Sequence, residues 1–223
     1  MTLLKIYKIL SQIPEDIRVQ ILNLVEKNSN EISINVFSKG SEIDDYMTMR
    51  EMVKANLYLE RLTENERYRT HLLVTEDIQG CILGYILYHK SIDDPTDVSI
   101  ISTIVSKEYR NQGILRNMLD NLKQKYKSIS LTCFISKVNI YKKLGFIPDC
   151  HLQTQIGMYY GVPDDGQIMT IDDDILIKYD AVFNAFEKFK LDNLNNWQKL
   201  IEKLNDDNII ESTKAEIYFN TIK

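Results

Sequence analysis

The stretch VSIISTIVSKEYRNQGIL, residues 98–115, decides the fold of this 223-residue chain. Its first eight residues form a short apolar run rich in β-branched side chains, which predicts a buried strand ending at Val105. The turn at residues 110–113 then leads into an amphipathic helix with an apolar face of Leu115, Met118, Leu119, Leu122 and Tyr126. A turn at a helix N-terminus directs unpaired backbone N–H groups into one concavity, and the helix dipole makes that concavity positive. The stretch therefore indicates either an anion site of pyrophosphate size, with Gly113 giving access to the backbone, or a plain connecting loop.

Further strands and helices are predicted on both sides of this stretch. Apolar runs predict strands upstream at residues 2–9, 71–76 and 81–88, and downstream at 130–134 and 152–160. Helical spacing and start signals predict helices from Pro14, from Ser41 with Asp44 as a capping box, and over 136–144, while residues 29–40 read as a loop with a short strand at 32–37. The prediction is an α/β fold of the mixed α+β kind, with a largely antiparallel sheet flanked by helices.

Residues 163–223 differ from the preceding sequence in composition and charge. Residues 163–223 hold thirteen acidic and seven basic residues, and an Asp172-Asp173-Asp174 run precedes helical spacing over 175–189, 197–204 and around 217–219. This predicts a domain over 1–162 and an acidic helical extension over 163–223. The apolar residues of the extension must pack on the first domain, on each other, or on a second protein chain.

Charge is unevenly distributed along the chain. The net charge is −5, yet residues 107–143 contain nine basic and only two acidic residues. Such a focused positive field suits a polyanionic small ligand, although a solvated helix face gives the same pattern. The acidic remainder of the surface disfavours bulk nucleic-acid binding, because it repels the phosphate backbone.

Composition excludes several classes of protein. No apolar run approaches the ~20 residues needed to span a bilayer, and the first ten residues lack the apolar core of a secretory signal. Cys81, Cys133 and Cys150 show no CxxC spacing, which indicates reduced thiols and a cytoplasmic protein, with Cys133 as buried filler. The three histidines lie in separate elements, so no metal site is expected.

A second motif follows about thirty residues after the first. It reads YKKLGF over residues 141–146, at the end of the predicted helix. The two motifs together resemble the GNAT family of N-acetyltransferases, which has an R/Q-x-x-G-x-G/A loop after a strand and a later Y-x-x-x-G-F sequence. Arg110 and Gly113 match the loop, and Tyr141, Gly145 and Phe146 match the second motif. The resemblance covers roughly the first 160 residues.

The resemblance implies acetyl-CoA as co-substrate, an amine acceptor, and no metal. The pyrophosphate of acetyl-CoA would lie on the loop, and its pantetheine arm would pair with the end of the preceding strand. The implied cofactor-binding residues are Thr103, Ile104, Val105, Arg110, Asn111, Gln112, Gly113, Ile114, Leu115 and Tyr141. The implied catalytic groups are the backbone N–H of Val105, at a bulged strand end, for the oxyanion, and the phenol of Tyr141 for the departing thiolate.

Four departures from the family pattern accompany these matches. Leu115 stands where glycine or alanine is usual, and Phe134 and Lys137 replace asparagine and alanine in the second motif. The strand over 98–105 also lacks the glutamate that several members use as a base or to hold water.

The predicted function is acetyl-CoA-dependent N-acetyl transfer by direct attack in a ternary complex. The alternative is a non-catalytic module that keeps the fold, binds acyl-CoA or a protein partner, and uses the extension as its working surface. In a third reading, the extension of an active enzyme recruits a protein substrate or forms a homodimer. An open groove beside Val105 and Tyr141 favours the enzyme, whereas Tyr141 buried away from any cleft favours the module.

Overall fold

One seven-stranded sheet runs through the molecule. The computed structural model describes residues 2–8, 10–62, 70–162, 170–171 and 173–222. The spatial order is β1-β2-β3-β4-β5-β7-β6, and every pair is antiparallel except β4 with β5. The strands are β1 (Leu3–Tyr7), β2 (Thr70–Glu76), β3 (Ile82–Lys90), β4 (Asp97–Val105), β5 (Ser128–Cys133), β6 (Ile147–Leu152) and β7 (Gln155–Gly161).

Helices cover both faces of the sheet. They are α1 (Glu15–Ile32), α2 (Asp44–Glu60), α3 (Ile114–Lys123), α4 (Ile135–Lys143), α5 (Asp173–Leu176), α6 (Asp180–Asp192) and α7 (Trp197–Ile222). Neighbouring residues of a strand face opposite sides, so Leu72 and Tyr85 join one apolar core with α1 and α2, while Leu73 and Ile86 join a second core with α3 and α4. The predicted mixed fold with a largely antiparallel sheet is confirmed.

The sheet splits between its two central strands. β4 and β5 pair only over Asp97–Ser99 and Ser128–Ser130, and they separate beyond that point. A bulge lies just after the last paired residue: Tyr88 is opposite Ile100 and Leu87 is opposite Ser102, which leaves Ile101 as the extra residue. A bulge bends its strand, which accounts for β4 turning away from β5. The bulge was expected at Val105, but that residue keeps its regular register opposite Gly84.

The helical extension packs on the rest of the chain. Val182 and Phe189 of α6 are buried in the first core against α2, and α7 contacts β6 and β7 through Ala215 and Phe219 in the second core. Residues 163–169 and 172, which include the start of the extension and part of its aspartate run, lie outside the described residues. The division after residue 162 and a protein partner or homodimer through these helices stay predictions.

Several element boundaries differ from expectation for local reasons. The expected strand at 152–160 corresponds to β7, and the strand before it, β6, was not predicted. A two-residue turn with Gln153 at φ +50° joins the two strands. α1 continues to Ile32 through a kink at Asn28, and the described segment 33–40 contains no strand. The capping box does not form, because the Ser41 hydroxyl donates to the carbonyl of Ser38. The two short helical stretches expected after residue 196 are one helix, α7.

Among the described residues, no helix is both long and apolar enough to cross a bilayer.

Candidate active site

The split between β4 and β5 opens into a cavity of about 580 Å³. Its walls are the second half of β4, the loop and first turn leading into α3, residues 131–133 of β5, and α4. The last turn of α1 and Gln155 of β7 complete one end. The volume lies within the range of ligand pockets, which is about 300–1,000 Å³. The two motifs found in the sequence meet in this cavity.

The N-terminus of α3 forms an anion cradle at one end of the cavity. Gly113 is the N-cap at φ +81°, a Cβ built there meets no atom within 4 Å, and no side chain caps the helix. The amide of Asn117 makes the first helical bond, to the Gly113 carbonyl, so the amides of residues 114–116 have no partner within the helix. Arg116 and Lys143 line the same cavity. These groups fit the diphosphate of acetyl-CoA.

Five of the six predicted loop residues line the cavity, and one does not. The lining includes Arg110, Asn111, Gly113, Ile114 and Leu115. Gln112 is exposed and outside the lining, and its side-chain amide donates to the carbonyl of Glu108. The branched side chain of Leu115 is half-buried against the second core, so this larger residue packs without closing the cavity.

Arg110 holds the end of β4 to α1. Its Nε donates to the Val105 carbonyl at 3.1 Å, and its Nη2 donates to Asn28 Oδ1 at 2.7 Å. Its Nη1 forms an ion pair with Glu31 at 3.1 Å. The kink in α1 at Asn28 places the Asn28 side chain to receive this contact, while the Asn28 Nδ2 donates to the Leu24 carbonyl.

Glu31 is a charged residue of the cavity that the sequence did not reveal. Its carboxylate bridges Arg110 and Lys137, so α1, the α3 loop and α4 meet at one anion. Burial works to raise the pKa of Glu31, but hydrogen bonds and charge from Lys137 and Arg110 hold it below the ordinary value. Lys137, which replaces the usual alanine of the family motif, thus forms an ion pair with Glu31.

Tyr141 and the end of β4 line the middle of the cavity. Tyr141 is 8% exposed, and its ring packs edge-on against Phe146 with centroids 5.8 Å apart. Burial raises its pKa well above the ordinary value, so the phenol keeps its proton at neutral pH. Thr103, Ile104 and Val105 line the same space. A groove beside Val105 and Tyr141, the feature expected of an enzyme, is present.

The part of the cavity lining beside α1 is polar: uncharged side chains accompany Glu31 and the two cations that it binds. The Thr132 hydroxyl donates to Gln155 Oε1 at 2.5 Å, and both residues line the cavity. Cys133 lies nearby, and burial raises the pKa of its thiol to about 12, which fits an unreactive packing residue. No cluster of metal-ligating side chains occurs among the described residues.

Comparison with known proteins finds a family match over part of the chain. Residues 41–146 match the family model "Acetyltransferase (GNAT) family". Similar solved structures include a spermidine N-acetyltransferase mutant from Vibrio cholerae, with 17% identity over 70% of this chain and 92% of that one and a TM-score of 0.47. An acyl-CoA N-acyltransferase from Pseudomonas aeruginosa shows 15% identity over 72% of this chain and 100% of that one, with a TM-score of 0.49. No curated protein matches the sequence. Residues 41–146, which contain both sequence motifs, thus match the acetyltransferase (GNAT) family that those motifs resemble.

Proposed function

We propose that this protein is an acetyl-CoA-dependent N-acetyltransferase, in which an amine acceptor attacks the thioester directly in a ternary complex. The observation that carries the proposal is the cavity at the β4–β5 split, because both sequence motifs line it. The three cysteines are free thiols in the structure, which supports a cytoplasmic location.

Acetyl-CoA would be bound from the cradle towards the middle of the cavity. The free amides at the start of α3, with Arg116 and Lys143, would hold the diphosphate. β4 no longer pairs with β5 over residues 100–105, so this strand can offer backbone groups to the pantetheine arm. The arm would then bring the thioester towards Val105 and Tyr141.

Acetyl transfer requires a donor to the oxyanion, an acid for the departing thiolate, and an acceptor for the amine proton. The acceptor nitrogen forms a bond to the acetyl carbon, and the bond from that carbon to sulfur breaks. The backbone N–H of Val105 would stabilise the oxyanion, and the Tyr141 phenol would donate its proton to the departing thiolate. Glu31 is poorly suited to remove the amine proton, because two cations lower its pKa and occupy its oxygens. The amine proton would therefore pass to solvent, and solvent would return a proton to Tyr141 before the next turnover.

Release of free thiol tests the proposal. The protein is incubated with acetyl-CoA and a panel of amines: spermidine, free amino acids, a lysine-containing peptide with a free N-terminus, and an aminoacyl-tRNA. We expect thiol release that depends on one amine class, with the acetylated amine seen by mass spectrometry. Binding of acetyl-CoA without turnover of any panel amine would instead support the non-catalytic module. If acetyl-CoA does not bind at all, both functions are wrong.

A further inference from the structure

We propose that α7, which lies outside the family-matched segment, holds the acceptor-side wall of the cavity in place through Asn208. The proposal rests on the proposed acetyltransferase function. It makes Asn208 a positioning residue, since its side chain acts on the cavity through the segment 33–37 and touches no reacting atom.

Both ends of the Asn208 amide are used on this segment. Asn208 Oδ1 accepts a hydrogen bond from the backbone N–H of Val36 at 2.7 Å, and its Nδ2 donates to Asn35 Oδ1 at 2.9 Å. Asparagine is a weaker helix former than alanine, so it does not stabilise the middle of α7 by its helix propensity. Its two hydrogen bonds instead join α7 to a distant segment of the chain.

The opposite side of the same segment contacts the cavity wall. The carbonyl of Ser33 accepts from Gln155 Nε2 at 3.2 Å, and the carbonyl of Ile34 accepts from the Thr154 hydroxyl at 2.5 Å. Gln155 in turn accepts from Thr132, and both side chains line the cavity. A continuous set of hydrogen bonds therefore joins α7 to the cavity through residues 33–37.

This wall lies on the side from which the acceptor must come. The anion cradle at the start of α3 takes the phosphates, and Tyr141 marks the position of the sulfur. Helix α1 packs in the first core and α3 in the second, on opposite faces of the sheet. The amine would therefore reach the thioester from the face of α1, where Glu31, Ile32, Thr132 and Gln155 line the cavity.

α7 is anchored on both sides of Asn208, which makes it a firm support. Its first half packs in the first core through Trp197, Leu200 and Leu204, and its last half packs in the second core through Ala215 and Phe219. Asn208 lies between these two anchors, so the helix cannot shift at that point without disturbing one of the cores.

The test compares Asn208→Ala with Ile209→Ala in the full-length chain. Ile209 is the next residue of the same helix, and it is 64% exposed. For the panel amine that the wild type acetylates fastest, Asn208→Ala should raise the acceptor KM roughly 5- to 50-fold, the effect of losing two hydrogen bonds. The acetyl-CoA KM should change less than about 2-fold, and Ile209→Ala should match the wild type. Asn208→Asp keeps the acceptor for the Val36 amide and should fall between the two.

Hydrogen exchange gives a second measurement that needs no turnover. In Asn208→Ala, the amides of residues 33–37 should exchange roughly 10-fold faster, while those of α3 stay unchanged. The proposal is overturned if this exchange does not change, or if the acceptor and acetyl-CoA KM values rise together. If the wild type turns over no panel amine, the proposed function fails. Faster exchange confined to residues 33–37 would then still show that α7 holds this segment in place.

Discussion

Gly113 is the residue at which the geometry of the cradle can be tested with a matched control. Gly113→Glu would place a carboxylate at the start of α3, where the diphosphate is proposed to bind. Gly80 has nearly the same backbone angle, φ +84° against +81°, and equally open surroundings, but it lies in the β2–β3 turn away from the cavity. Acetyl-CoA should raise the melting temperature of the wild type and of Gly80→Glu, and should leave Gly113→Glu unchanged. Equal shifts in both variants would remove the cradle from the acetyl-CoA site.

Glu31 gives a prediction about acid stability. Its pKa in the folded chain lies below the unfolded value of about 4.3, so its ionised form stabilises the fold above that pH. This stabilisation is lost as the pH falls through the folded pKa. Urea unfolding should therefore show Glu31→Gln less stable than the wild type at pH 7, with a difference that holds to about pH 5 and shrinks below pH 4. A difference that grows on acidification would contradict the ion-pair assignment.

The sequence predicts residues of the site only where a local pattern marks them. Gly113 and Tyr141 lie in short motifs, so their place in the cavity could be predicted. Glu31 lies 79 and 106 residues from the two cations that it binds, and no spacing rule connects such residues. Asn28 and Gln155 were not predicted for the same reason, because a helix kink and a hairpin turn bring them to the cavity.

At the scale of elements, the strands and helices follow from apolar spacing, whereas the bends do not. The pattern over residues 98–105 is a strand-like run rich in β-branched residues with no turn signal at Ile101, yet the bulge there accompanies the separation of β4 from β5. The β6–β7 turn was also missed, because Gln153 adopts a positive φ without being glycine or asparagine. Both features depend on pairing with distant strands.

Packing of α6 on α2 can be measured with two phenylalanines of one helix. Phe189 is 4% exposed and stacks near Tyr46 with ring centroids 6.2 Å apart, while Phe183 is 49% exposed. Phe189→Ala should lower the free energy of unfolding by about 3–5 kcal/mol, the usual cost of truncating a buried phenylalanine. Phe183→Ala should cost less than about 1 kcal/mol. Similar losses for both would show that α6 does not pack on α2 in solution.

At the scale of the whole molecule, the extension completes both cores. A chain ending at Val162 would lose Val182 and Phe189 from the first core, and Ala215 and Phe219 from the second. We expect it to aggregate or to melt well below the full-length chain, because apolar surface on both faces of the sheet becomes exposed. Static light scattering and thermal unfolding check this. A soluble, equally stable 1–162 fragment that binds acetyl-CoA would support an independent domain with a docking module instead.

The central claim is that the cavity at the β4–β5 split transfers acetyl groups with Tyr141 as the acid. The most direct test is the kcat of Tyr141→Phe, measured by thiol release with the best panel amine. Tyr160→Phe serves as the control, since that ring also packs against Phe146 but lies outside the cavity lining. We predict a kcat roughly 10²-fold lower for Tyr141→Phe, with unchanged acetyl-CoA affinity, and a kcat near the wild type for Tyr160→Phe. Full turnover by Tyr141→Phe would contradict the account and leave Tyr141 as a packing residue.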